Sequence, residues 1–62
     1  MTTEDIKDMD PNILVSIINL KLRDYYSSLE NLCEDMDIDM NVLESSLKKG
    51  GFSYNKEINQ FK

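Results

Sequence analysis

The stretch from Asn12 to Tyr25 limits the architectures open to this chain more than any other feature. Asp10-Pro11 leads into it. An aspartate side chain accepts hydrogen bonds from the free N–H groups of a helix start, and proline at the first helical position gives up an N–H that has no partner there. Within the run, the polar residues Asn12, Ser16, Asn19 and Arg23 recur at helical spacing and form one narrow stripe. Apart from Lys21 and Asp24, the remainder is apolar: Ile13, Leu14, Val15, Ile17, Ile18, Leu20, Leu22 and Tyr25. A helix that is apolar around most of its circumference must be covered on more than one side. The rest of the chain has to provide that cover.

Two shorter helices are predicted to follow. Ser27 with Glu30 fits a capping box, and Ser28 is an equally good cap. The second helix runs to about Met36, with Leu29, Leu32, Cys33 and Met36 on one face. Asp37-Ile38-Asp39 makes a turn, and Asp39 can cap a third helix whose Met40, Leu43 and Leu47 share a side with Val42. Lys48 and Lys49 suit its C-terminal dipole, and Gly50-Gly51 ends it in the left-handed conformation. From Phe52 to Phe61 the period changes. Aromatics alternate with polar residues around an Asn55-Lys56-Glu57 turn, which points to a small β-hairpin or an extended flap laid over the helices. Residues 1–9 are polar and acidic, without periodicity, and read as a flexible arm. The expected architecture is therefore mainly α: a three-helix, helix-turn-helix-like domain over residues 10–62 with a short C-terminal hairpin or flap.

Composition excludes several functional classes. The 62 residues contain no histidine and one cysteine, Cys33. No internal disulfide can form, and the commonest general base and metal ligand is missing. Cys33 lies on an apolar face without a neighbouring cation and reads as a buried, inert thiol in a reducing compartment, with the cytoplasm as the expected location. No segment approaches a membrane span, and the acidic start does not resemble a signal peptide. Asp35-x-Asp37-x-Asp39 resembles the opening of a calcium-binding loop. Met40 stands where that loop needs glycine, however, and Ser46 where it needs glutamate, so neither a metal nor a cofactor is expected. No nucleophile and base can be paired, so no enzyme is expected.

The spacing of Leu32, Cys33, Met36, Ile38, Leu43 and Leu47 resembles the core of a helix-turn-helix, and the aromatic segment after Gly51 resembles the wing of a winged-helix domain. In DNA-binding members the exposed face of the motif's second helix reads bases. The positions matching it here are Asn41, Glu44, Ser45 and Lys48, with Lys49 and Lys56 beside them. The net charge of −5 and the acidic residues Glu30, Glu34, Asp35 and Glu44 oppose phosphate. Nucleic-acid binding through Asn41, Ser45, Lys48, Lys49 and Lys56 is thus the alternative reading, and protein contact the main one. The long helix carries more apolar surface than one helical hairpin and a flap can cover. The surplus is expected at a homodimer or other protein interface containing Ile13, Ile17 and Leu20.

Past Met9 the chain resembles a family of short bacterial proteins, domain-of-unknown-function family 4250. The likeness is carried by Asp10-Pro11-Asn12, Asn19-x-Lys21-Leu22-Arg23-Asp24-x-Tyr26-Ser27-Ser28-Leu29, Leu32-Cys33-Glu34-Asp35-x-Asp37-Ile38-Asp39, and Gly51-Phe52 through Asn59-Gln60-Phe61. The resemblance implies a small stand-alone bacterial domain and no catalytic activity. It marks Lys21–Asp24 and Asn59–Phe61 as polar segments to consider as a contact surface. Their structural alternative is an Arg23–Asp24 ion pair and an Asn59 that bonds backbone.

Overall fold

The computed structural model describes residues 2–62. Four helices, α1 (Thr3–Asp8), α2 (Pro11–Asp24), α3 (Leu29–Met36) and α4 (Met40–Lys48), precede two short strands, β1 (Tyr54–Asn55) and β2 (Gln60–Phe61). The chain is mainly helical with a C-terminal hairpin, as its periodicity predicts. The hairpin is antiparallel, with Tyr54 opposite Phe61 and Asn55 opposite Gln60.

Local chemistry sets each boundary. Asp10 caps α2, its Oδ1 accepting from Asn12 N at 2.8 Å, and Pro11 follows as the first helical residue. Ser28 rather than Ser27 caps α3, its Oγ accepting from Asn31 N at 3.1 Å, while Ser27 accepts from the Asn31 amide. Asp37 closes α3 in the left-handed region, at φ 54 and ψ 50, a conformation aspartate tolerates better than most residues. Two residues on, Asp39 Oδ1 accepts from Asn41 N and Val42 N to start α4. Gly51 turns the chain at φ 85. Gly50 is needed for closeness instead: a Cβ there would sit 2.6 Å from Pro11 Cβ.

One cluster forms the core. Leu14, Val15, Ile18 and Leu22 of α2, Leu29, Leu32 and Cys33 of α3, Ile38 of the turn, Leu43 and Leu47 of α4, and Phe61 of β2 are all buried. Tyr54 packs on Phe61 with ring centroids 5.4 Å apart.

Residues 2–9 correct an expectation, while Met1 of the expected arm lies outside the described residues. They do not make a flexible arm: Thr3–Asp8 is helical, and Ile6 is fully buried in the same core. The start is a reciprocal capping box, Asp5 N to Thr2 Oγ1 and Thr2 N to Asp5 Oδ2, both at 3.2 Å. α1 packs on α4, and Thr3 Oγ1 accepts from Asp39 N at 3.3 Å, tying the new helix to the cap of α4. The Thr2-x-x-Asp5 spacing is itself a helix-start signal. A single apolar residue per turn hides the face that follows it. If α1 belongs to the core, Ile6→Ala should cost about 2–5 kcal/mol, read as a lower urea midpoint with an unchanged slope. A midpoint within error of the parent would mean that α1 contributes nothing to folding.

Candidate functional site

The long helix α2 presents two different sides. Leu14, Val15, Ile18 and Leu22 face inward. On the opposite side Ile13 is 58% exposed and Leu20 48%, with Ile17 half-buried beside them and Ser16 exposed between. The three apolar positions expected at an interface therefore lie along one side of one helix, at i, i+4 and i+7. Neither the hairpin nor α1 covers Ile13 and Leu20. Among the described residues Tyr25, at 74%, and Ile58, at 47%, are the other large apolar residues left in solvent. Ser16 Oγ donates to Asn12 O at 3.1 Å, so its hydroxyl is bonded within its own helix.

The hairpin does reach α2, through polar groups. Asn19 clasps the backbone of Phe61 from both directions: Phe61 N donates to Asn19 Oδ1 at 2.7 Å, and Asn19 Nδ2 donates to Phe61 O at 3.0 Å. Gln60 Nε2 donates to Asn19 O at 3.0 Å. Asn59, at φ 53, donates through Nδ2 to Leu22 O and Tyr26 O, both at 3.0 Å, at the C-terminal end of α2. Its Oδ1 accepts from the Tyr54 hydroxyl at 2.6 Å, and that hydroxyl accepts from Leu29 N at the start of α3. Asn59-Gln60-Phe61 thus points inward as a clamp joining α2, α3 and β1. Among the described residues, no buried side-chain nitrogen or oxygen lacks a hydrogen-bond partner.

Lys21–Asp24 divides. Leu22 is buried, and Arg23 Nε lies 2.9 Å from Asp24 Oδ1 in the one ion pair among the described residues. The guanidinium hydrogen bonds hold the Asp24 carboxyl below its ordinary range and raise Arg23 in turn. Both groups are solvated, so the pair adds little to stability. Lys21 Nζ stands 6.0 Å from the centre of the Tyr25 ring.

The exposed side of α4 holds Asn41, Glu44, Ser45, Lys48 and, at its end, Lys49. The structure adds a residue that lies far from α4 in sequence. Lys7 of α1 lines a surface cleft of about 340 Å³ together with Asn41, Val42, Ser45 and Lys49. Lys56 lies elsewhere, in a hollow with Glu44, Met40 and Tyr54. The five residues named for nucleic acid are therefore not gathered into one surface, and Glu44 borders the hollows that contain Lys48 and Lys56.

The acidic turn is occupied with structural tasks. Asp39 caps α4 and Asp37 holds the left-handed turn. Asp35 accepts from the Tyr26 hydroxyl at 2.6 Å, a bond that raises the Tyr26 pKa. Among the described residues no group of three potential ligands is placed to hold a metal ion. Burial pushes the Cys33 thiol up, with Glu44 and Asp39 adding to the shift, and thereby disfavours the nucleophilic thiolate. No helix of the described residues is long and apolar enough to cross a membrane.

The model of the family described as a domain of unknown function, DUF4250, matches residues 8–61. No curated protein and no solved structure matches the chain.

The Asn59 clamp has a direct consequence. Asn59→Ala leaves two carbonyls and a tyrosine hydroxyl without their partner, at about 1–3 kcal/mol for a buried unsatisfied group. Chemical denaturation should show this loss, and Asn59→Asp, which keeps the acceptor but loses the donors, should not restore it. Parent-like stability in both variants would remove the clamp from the folding argument.

Proposed function

The chain belongs to the DUF4250 family, and we propose that it is a non-catalytic interaction module of the bacterial cytoplasm, helix-turn-helix-like in topology, that makes protein contacts through the outward side of α2. One observation carries the reading: Ile13 and Leu20 stay about half exposed on a helix whose other side is fully used. Burying a large aliphatic side chain is worth about 1.5–3 kcal/mol. A fold that satisfies its buried polar groups yet leaves these residues in water has burial to gain from a partner. The helix-turn-helix description is supported by the three residues that join α3 to α4, by the left-handed Asp37, and by Cys33 and Ile38 buried at the helix crossing. A Cys33 thiol pushed up by burial, a sequence without histidine, and carboxylates given to caps and turns support a role without chemistry.

A photo-crosslinking residue in place of Leu20 tests this in cells. A discrete adduct from that position, and none from Glu34 on α3, is expected. No adduct, or the same adducts from both sites, would end the proposal.

A second reading is favoured by Lys7. With Lys7 beside Asn41, Ser45 and Lys49, the α4 face gains a cation that its own helix does not provide, which suits an atypical nucleic-acid-binding helix-turn-helix. On the main reading, fluorescence anisotropy with random duplex DNA at low salt shows no saturable binding. Tight binding that falls steeply with salt, and that Lys7→Glu weakens, would put the second reading first, because counterion release marks phosphate contact.

A further inference from the structure

We infer that the partner on α2 is a second copy of this chain, docked with the two α2 helices antiparallel about a two-fold axis near Ser16 and Ile17; this rests on the reading that the outward side of α2 is the contact surface. The pattern on that side is self-complementary. Ile13 and Leu20 are equidistant from the midpoint between Ser16 and Ile17 and lie at nearly the same angle around the helix. An antiparallel two-fold pairing therefore sets Ile13 against the partner's Leu20, and Leu20 against the partner's Ile13. Ile17 meets its own symmetry mate at one edge of the contact, and Ser16 meets its mate at the other. Serine there lets the backbones approach. Its hydroxyl already donates to Asn12 O, so no polar group is left unpartnered when water leaves.

Charge selects the same orientation. The N-terminal end of α2 carries Asp10, which takes part in no ion pair among the described residues; the C-terminal end carries Lys21 together with Arg23 and Asp24, which are paired with each other. Antiparallel docking lays Asp10 along the partner's Lys21 and repeats the contact by symmetry. It also opposes the helix dipoles favourably. Parallel docking would put Asp10 beside its own copy and Lys21 beside its own copy. A partner of different sequence would not need this match of one end of the helix to the other.

Area sets the strength. A stable interface removes about 800 Å² from each partner, roughly a fifth of the 4152 Å² surface of this chain. One side of a helix about 21 Å long, with its flanks, falls at or below that size. Dissociation in the micromolar range or weaker is expected.

Sedimentation equilibrium of the full chain from about 5 μM to 1 mM tests the inference, using the range that interfaces of this size span. The mass should rise from 7.2 kDa toward twice that value. Leu20→Glu, at an exposed position, should weaken association at least tenfold with an unchanged circular dichroism spectrum. Orientation is read in a Cys33→Ala background. On oxidation, a mixture of the Ile13→Cys and Leu20→Cys chains should form the mixed disulfide faster than either chain couples with itself. A chain that stays at 7.2 kDa at 1 mM, a Leu20→Glu variant that associates like the parent, or self-coupling faster than mixed coupling would overturn the inference. Should the photo-crosslinker on α2 capture a different protein while the chain stays monomeric, the interaction module would stand and the self-pairing would fall.

Discussion

Everything in this fold depends on covering α2. The helix is apolar over most of its surface, and its neighbours reach it from several directions: α3 and α4 pack along its inner side, and β2 lies beside it. α1 closes over α4 and adds Ile6 to the same interior. A chain of this length buries only about 60% of the surface its unfolded form exposes, so each covering element matters. The result is a helix buried along Leu14, Val15, Ile18 and Leu22 and open along Ile13, Ser16 and Leu20. That open side is also the part of the helix where large aliphatic side chains stand in a row.

The hairpin shows how such cover is held when there is little apolar material to hold it. Two strands of two residues each cannot persist in water by themselves. Here Phe61 supplies the apolar anchor, and three amide side chains, those of Asn19, Asn59 and Gln60, supply the fastening. Asn19 replaces a missing third strand, because its side chain pairs with the Phe61 N–H and C=O as a neighbouring backbone would. Asn59 takes the carbonyls freed where α2 ends, and through Tyr54 it reaches the first N–H of α3. One short polar segment thereby fixes the relative positions of α2, α3 and the hairpin.

This arrangement explains what could and could not be read from the sequence. The caps at Asp10, Ser28 and Asp39, the left-handed aspartate, the turn at Gly51 and the buried aliphatics of α2, α3 and α4 follow from local rules that act over a few residues, and they were legible. Asn19 was not. By spacing it joins Asn12, Ser16 and Arg23 in a polar stripe, and only the return of Phe61, 42 positions later, turns that stripe residue into a half-buried clasp. α1 was hidden for a related reason. Its capping box was visible, but one isoleucine among acidic neighbours shows no period until α4 supplies the surface it packs against. On the α4 face the same limit applies: Lys7 reaches Asn41 and Ser45 only through the packing of α1.

The distribution of polar tasks also narrows what the surface can do. Asp10 and Asp39 cap helices, Asp37 turns the chain, Asp35 is bonded to Tyr26, and Asp24 is paired with Arg23. A good part of the acidity that gives the chain its net charge of −5 is therefore structural, and it is spread over turns and helix ends rather than aimed at a common point. Carboxylates used this way do not assemble a cation site or an acid–base pair. On the outward side of α2, Ile13 and Leu20 have no internal task either, and they are apolar. An apolar surface flanked by the opposite charges of the two ends of one helix gains most from another helix running the other way.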